Sequence, residues 1–534
     1  MKLKKMLALC LAVLMLLSVA VGCDNTKPVE TQPKETQGTN KPAETKPAET
    51  TEGSKEIVFP LAEKMEFTGA SIMANSYYYK DNIAWNYALD RANIHIELTE
   101  FMKDECGEKL NLLLNSGDYP EILYKPAGVD LDSYGMEGIL IPLEDLIREY
   151  APNLSAHLDE RNAWNELKAP DGHIYSLPTV DISKVGIGTT GPVWINQRWL
   201  DNLSLKMPAN QEELYNVLKA FKEQDANGNG DPNDEIPFAY PGGTVSIIEG
   251  FSLLMEDVLL YGDYFGVTSE GYVYYPTTEG FKNDFLAYFA KLYAEGLLDP
   301  NSLTQTTDQQ GAVSKANDVL GMFQNSGTTN VPEANQTDYL ALKSYNKGGY
   351  PKKTGVSKNG MAITDKCKNP EVVIAWADWF YTEEGGRAVR LGLEGESYVI
   401  NSDGSYSYTE GKYESVTYQT TLMGLNKVPG RIPDYYYTGV NPQDNPVTAL
   451  INKELVNSVT GTTMPVYVLS EEENEAVSTI MADIKPYVEN YTAQVISGLI
   501  SLEDTWDDFQ KTLKEMGVDQ LITAYTAAYE RATG

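Results

Sequence analysis

Apolar and polar positions alternate along "IHIELTEF" (94–101), where Ile94, Ile96 and Leu98 share one face with His95, Glu97 and Thr99 on the other. With its β-branched residues, that period of two predicts a half-buried strand. The spacing turns helical over "ECGEKLNLLLNSGD" (105–118) and stops at Gly117, after which "EILY" (121–124) reads as a short buried strand. The same order recurs at "PVWINQRWLDNL" (192–203). It recurs again where strand-like "GMAIT" (360–364) leads through "DKCKNPE" into a long amphipathic helix whose Trp376 and Trp379 are assigned to a core. The last hundred residues are mainly helical, including "EEENEAVSTIMADIKPYVENYTAQVISGL" and "LEDTWDDFQKTLKEMG". This is α/β alternation followed by a helical end.

Length and charge narrow the picture. A chain of 534 residues, 42% hydrophobic, is long enough for two or three domains with sizeable cores. With 42 basic against 76 acidic residues the formal net charge is −34, which repels nucleic acid and anionic membrane surfaces, so no nucleic-acid partner is expected.

The N-terminus adds an address. "MKLKKMLALCLAVLMLLSVAVGC" places Lys2, Lys4 and Lys5 before an apolar run from Met6 to Val21, then Gly22 and Cys23. That order is an export signal, and the run is short for a membrane span of roughly 20 residues. "AVGC" resembles a bacterial lipobox, so residues 1–22 read as a lipoprotein signal peptide and Cys23 as the acylated first mature residue. Residues 23–57 then form a tether: "KPAET" occurs twice, and a Pro/Thr/Glu/Lys-rich segment cannot bury enough apolar surface to fold. The expected location is the outer face of the cytoplasmic membrane, extracellular, held by lipid alone. The remaining cysteines, Cys106 and Cys367, read as buried free thiols, with a single bridge between them left open.

One stretch carries candidate metal chemistry. "DANGNGDPNDEIPFAY" (225–240) sets oxygen-bearing side chains at Asp225, Asn227 and Asn229, then Gly230, then Asp231, Asp234 and Glu235. The alternation resembles the front half of an EF-hand loop. It follows the amphipathic "NQEELYNVLKAFKEQ", but Pro237 blocks a second helix and the twelfth loop position is Ile236, so an EF-hand pair is not expected.

Several stretches coincide in order with one family: "NSGDYPEIL" (115–123), "PDGHIYSLP" (170–178), "VWINQRWLDNLSLKMPANQEEL" (193–214), the acidic loop, "AITDKCKNPEVVIAWADWFYTEEG" (362–385), "GLEGESYVINSDGSYSYT" (392–409) and "WDDFQKTLKEMGVDQLITAYTAAYERA". Together they resemble the extracellular solute-binding proteins of family 1, in the long lipoprotein subgroup that serves ABC importers of Gram-positive bacteria. The resemblance implies a two-lobe α/β fold of the periplasmic-binding-protein type II, with a hinge and a ligand cleft between the lobes. The expected division is 58–184 plus about 358–430 for lobe 1, and 185–357 plus about 431–534 for lobe 2. Relatives hold one calcium in a similar helix-then-loop element. That implies ligation by Asp225, Asn227, Asn229, Asp234 and Glu235 with Asp231, about six or seven oxygens acting as a structural staple. It also implies a monomeric receptor that hands a sugar or oligosaccharide to a transmembrane permease.

Sugars present C–H faces that stack on rings while their hydroxyls take hydrogen bonds, and tyrosine supplies both kinds of contact. "ANSYYYKDNIAW" brings Tyr77, Tyr78 and Trp85 to an expected cleft-edge loop, and "RIPDYYYTG" carries Arg431, Tyr436 and Tyr437. By resemblance, the loops holding Asp118, Trp194 and Glu394 also approach the cleft. No catalytic residue is expected. The three histidines are separate, there is no H-E-x-x-H, G-x-S-x-G or P-loop, and "GIGTTG" (186–191) lacks the following helix that a dinucleotide site needs. The chain therefore reads as a binding protein and not an enzyme. A receptor for a peptide or other small solute, a surface glycosidase or lyase, and a sensory adaptor are the alternatives.

Overall fold

The computed structural model describes residues 56–73, 78–102, 105–182, 191–240, 243–269, 271–346, 355–409, 429–443, 446–458, 467 and 469–533. The signal segment, Cys23 and the tether to residue 55 lie outside the described residues, as do Tyr77 and 186–190 of the glycine-rich stretch.

The alternating segment forms strand Ile94–Phe101, with Ile94 and Ile96 buried and His95 and Glu97 exposed. It pairs in parallel, over its full length, with strand Met65–Ile72. The helical spacing after it forms helix Cys106–Ser116, closed by Gly117 at φ 78, a left-handed position that glycine adopts without strain. Strand Ile122–Tyr124 follows, fully buried. These strands belong to a six-stranded sheet ordered Gly430–Ile432, Leu177–Asp181, Val356–Ile363, Ile122–Tyr124, Met65–Ile72, Ile94–Phe101. Strand Val356–Ile363 runs antiparallel to both its neighbours and the other pairings are parallel.

A second sheet has the order Tyr339–Ala341, Val193–Asn196, Leu320–Gln324, Ile236–Ala239. One large core gathers its strand Val193–Asn196, helix Gln211–Glu223 and the C-terminal helices Glu471–Ile496, Leu502–Glu515 and Val518–Thr533 through Ile195, Leu218, Val488, Phe509 and Leu521. The end of the chain thus packs on the second sheet. The first sheet has its own core, which includes Trp376 and Trp379 as the helical spacing predicted. Both remaining cysteines are free, Cys106 buried and Cys367 half-buried. No helix among the described residues is long and apolar enough to cross a membrane.

One buried acid ties the first core together. Helix Pro152–Arg161 receives no cap from Ala151, which precedes it. Asp378, at the end of helix Pro370–Asp378, takes that role from 224 residues away. Its Oδ1 accepts from the Leu154 N–H (2.9 Å), and its Oδ2 from the Asn153 N–H (3.2 Å) and Nδ2 (2.7 Å). Four N–H groups at a helix start lack partners within the helix, so a carboxylate there is favourable. Burial nevertheless outweighs these bonds and pushes the Asp378 carboxyl up to about 6. Because the folded value lies above the unfolded one of about 3.9, the folded state holds the proton more tightly. The stability this group contributes is therefore complete below about pH 4 and is lost as pH rises through about 6. Urea denaturation of the protein and of Asp378→Asn from pH 4 to 7 is expected to show the difference, wild type minus variant, falling with rising pH. A flat or rising difference would show that Asp378 is ionised throughout.

Candidate functional site

The acidic loop is built outward from helix Gln211–Glu223, which Asn210 caps by accepting from the Glu213 N–H at 2.9 Å. Beyond the helix the chain folds back on itself through side-chain oxygens. Asp225 Oδ1 accepts from the Asn229 N–H (3.0 Å) and Oδ2 from the Gly230 N–H (2.9 Å). Asn227 Oδ1 accepts from the Asn229 N–H (2.9 Å), and Asn229 Oδ1 from the Asp231 N–H (2.7 Å). Asp234 receives the amides of both asparagines, from Asn227 Nδ2 at 3.0 Å and Asn229 Nδ2 at 2.7 Å. Glu235 closes the turn, its Oε1 accepting from the Ala226 N–H at 2.9 Å. All six predicted ligand residues therefore take part in these bonds. Asp231 Oδ1 also accepts from the Asn233 N–H at 3.1 Å. The chain leaves through strand Ile236–Ala239, not through a second helix.

The donor set suits a hard cation. It consists of carboxylate and amide oxygens, the chemistry calcium takes. Glu235 Oε2 is buried with no hydrogen-bond partner, which is costly for a carboxylate oxygen. Burial, then the nearby Asp234 charge, holds the Glu235 carboxyl above its usual range, although three backbone N–H groups pull it down. A cation at the loop would reverse both effects. Among the described residues no group of three or more His, Cys, Asp or Glu could hold a metal by itself, so the asparagine oxygens are needed to complete a set.

Sequence reasoning missed what anchors this loop. Arg198, at the start of helix Gln197–Asn202, donates from Nη1 to the Asn227 carbonyl (2.9 Å), from Nε to Asp338 Oδ2 (2.8 Å) and from Nη2 to Asp318. Asn227 Nδ2 also reaches the Asp318 carbonyl at 3.2 Å, and Asn202 Nδ2 the Ala226 carbonyl at 2.9 Å. Asp318 stands just before strand Leu320–Gln324, so a guanidinium fork joins the loop to the central strand of the second sheet. The only sequence signal was an arginine two residues after a predicted strand.

The candidate cleft residues do not form one constellation. Tyr78 is 46% exposed, with Lys80 Nζ 4.8 Å from its ring centroid. Asp118 and Glu394 are exposed, just beyond helices Cys106–Ser116 and Glu383–Leu391. Tyr436 and Tyr437 fall on helix Asp434–Thr438, with their side chains outside the described part. Trp85 requires a correction. It sits on helix Ile83–Asp90, whose buried face is Ala84, Trp85, Ala88 and Leu89, and its ring packs 4.6 Å from Tyr124, 5.5 Å from Trp376 and 5.6 Å from Tyr79. At 2% exposure it offers no face to a ligand. Trp194 is likewise interior. It lies in the middle of the second sheet with Phe323 and Tyr339, and its Nε1 donates to the Asn325 carbonyl at 2.9 Å. Arg431 is half-buried on the edge strand of the first sheet.

No family model matches the chain. It is 28% identical over 506 residues to the fructooligosaccharide ABC transporter substrate-binding protein FusA of Streptococcus pneumoniae serotype 4, covering 89% of this chain and 92% of that protein. It is 22% identical over 465 residues to the polygalacturonan/rhamnogalacturonan-binding protein YtcQ of Bacillus subtilis, covering 82% and 86%. Among solved structures it superimposes on an HMO-binding ABC-transporter-associated solute-binding protein from Bifidobacterium longum infantis with a TM-score of 0.72 at 20% identity, over 88% of this chain and 99% of the other. FusA of S. pneumoniae in complex with kestose gives 0.69 at 24% identity, over 87% and 99%. A FusA EF-hand mutant in complex with fructo-nystose gives 0.68 at 24% identity, over the same shares. These likenesses show the fold to be the two-lobe α/β arrangement of periplasmic-binding-protein type, with the two sheets above as the centres of its lobes.

Proposed function

We propose that the chain is a lipid-anchored extracellular receptor of the family 1 solute-binding proteins, which captures a sugar or oligosaccharide between its lobes and delivers it to the permease of an ABC importer. The observation that carries this reading is the end-to-end likeness to FusA, over 89% of this chain. The order of sequence motifs supports it independently. The two connections from one sheet to the other, between strands Leu177–Asp181 and Val193–Asn196 and between Tyr339–Ala341 and Val356–Ile363, would serve as the hinge, with Tyr77, Tyr78, Asp118, Glu394, Tyr436 and Tyr437 as the aromatic and polar contacts. Two rigid lobes with separate cores allow binding energy to be spent on closure about such segments, which excludes water from the ligand. Acylation of Cys23 would hold loaded receptor near the permease and raise its effective concentration there.

Calcium in the acidic loop belongs to the same reading. A relative studied as an EF-hand mutant supports it, and so does the unpartnered Glu235 oxygen. Asp225, Asn227, Asn229, Asp231, Asp234 and Glu235 would hold the ion, which supplies positive charge to a turn otherwise crowded with carboxylates. The loop residues order the turn through their own hydrogen bonds, and Arg198 passes that order to the sheet. The role is structural, with no part in chemistry on the ligand.

The test is calorimetry of the purified chain against kestose, nystose, pectic oligosaccharides and a mixed peptide library, with small-angle scattering on any ligand that binds. We expect a glycan to bind with a Kd of about 1 μM or tighter, roughly −8 kcal/mol, and the radius of gyration to fall on binding. Binding of peptides alone, or turnover of a glycan, would replace this reading with one of its alternatives.

A further inference from the structure

Positive charge collects at one place on this strongly acidic chain. Strand Gly430–Ile432 forms the edge of the first sheet, and helix Glu383–Leu391 lies against it. Gly386 permits that approach: a Cβ there would stand 2.9 Å from the Arg431 carbonyl oxygen and 3.3 Å from Arg431 Cγ. On the other side, helix Pro152–Arg161 packs against the turn Trp379–Tyr381, with His157 Nε2 3.1 Å from the Tyr381 carbonyl. Arg161, Arg387 and Arg431 thereby come from three elements to one neighbourhood.

Their hydrogen bonding is incomplete. The Nε atoms of all three are buried without a partner. Among the described residues Arg161 and Arg431 make no ion pair and no side-chain hydrogen bond, whereas Arg387 pairs with Glu383 at 2.6 Å. The Arg387 guanidinium also lies 5.1 Å from the ring centroid of Tyr435, whose buried hydroxyl has no partner. Glu394 and Asp403 act on Tyr435, and the acids that act on Arg431 are Glu383 and Glu160. They favour the Arg431 charge, but burial, the largest influence, and repulsion from Arg387 and Arg161 pull its pKa below the usual range. His157 adds no anion, and burial, with Arg431 and Arg161, keeps its ring toward the neutral form. Around Arg431, three guanidinium groups thus face two carboxylates, of which Glu383 is already engaged by Arg387. Buried N–H groups without acceptors are expensive, and an arginine fork matches a planar or tetrahedral oxyanion in geometry as well as charge.

We propose that Arg161, Arg387, Arg431 and the Tyr435 hydroxyl form a binding site for an oxyanion, a carboxylate or phosphate group carried by a small ligand, at the edge of the first lobe. The site is independent of the sugar reading and of the calcium loop. An oxyanion there would accept from the three unpartnered Nε groups and from Tyr435, and would relieve the repulsion among the arginines. Its strength would fall with salt.

Calorimetric titration of the full chain with inorganic phosphate and, separately, galacturonate, at constant ionic strength and without added calcium, tests the proposal. We expect saturable one-to-one binding of at least one probe, weakened about tenfold or more in Arg431→Gln and in Arg161→Gln, with Arg431→Lys intermediate because it keeps charge and loses the fork. Binding of phosphate alone would assign a phosphate site and of galacturonate alone a carboxylate site. Arg161 is the half-buried last residue of its helix, outside the sheet, so its variant keeps the test readable should Arg431→Gln fold poorly. Absence of saturable binding for both probes, or equal affinity in wild type and both glutamine variants, would overturn the proposal.

Discussion

Trp85→Ala is expected to cost the protein about 3–5 kcal/mol of stability while leaving ligand affinity unchanged at temperatures where the variant is folded. The indole touches three other aromatic rings: Tyr79 and Tyr124 of the same sheet region, and Trp376 from helix Pro370–Asp378. Truncation removes these contacts and leaves a cavity, because a rigid sheet and two helices cannot close fully around it. Trp376 also spends its Nε1 hydrogen bond on the Ala88 carbonyl (2.9 Å), within the helix that carries Trp85, so the loss loosens a joint between two elements. Trp85→Phe should recover part of the stability, since a ring remains to meet Tyr124. Denaturant unfolding and glycan calorimetry on the two variants separate packing from recognition. Unaltered stability with roughly tenfold weaker binding would return Trp85 to the cleft.

Chelation is the second large effect. An ion that binds only the native loop stabilises by RT ln(1 + [L]/Kd), about 2.7 kcal/mol at a hundredfold excess. For a unit the size of one lobe that amounts to roughly 5–10 °C in Tm. Excess EDTA should therefore lower the melting temperature, and Asp225→Ala should melt at the lower value with or without chelator. Asp225 is the variant of choice because it accepts from both the Asn229 and Gly230 N–H groups and so orders the turn at its first position. The effect reaches beyond the loop through Arg198, which bonds the Asn227 carbonyl and two acids of the second lobe at once. Elemental analysis of the purified chain should find about one calcium per molecule. A melting curve indifferent to chelator, with no metal copurifying, would leave the loop a metal-free Asn/Gly turn.

Much of the fold and part of the candidate site were legible in the linear chain. The alternation in "IHIELTEF" became strand Ile94–Phe101, the helical spacing after it became helix Cys106–Ser116 with its glycine stop, and Pro237 turned the acidic loop into a strand. These features depend on neighbours a few residues away: the pleat, the helical turn, the missing proline N–H, and Asx side chains that bond their own backbone. The loop's internal bonds span at most nine residues, which is why its turn could be read in advance. Trp85 misled because a run of tyrosines beside it suggested a binding loop, although Ala84, Trp85, Ala88 and Leu89 already carried helical spacing. The direction in which that stripe faces was decided by Trp376, whose bond to Ala88 spans 288 residues. Arg198 depends likewise on Asp318 and Asp338, 120 and 140 residues away, and the patch at Arg431 on a helix that ends at Arg161. Local geometry follows from short-range sterics and hydrogen bonding, so sequence alone determined which segments are strands, helices and turns. Burial and charge pairing follow from which segments meet after the chain has closed long loops, and only the tertiary structure could decide them.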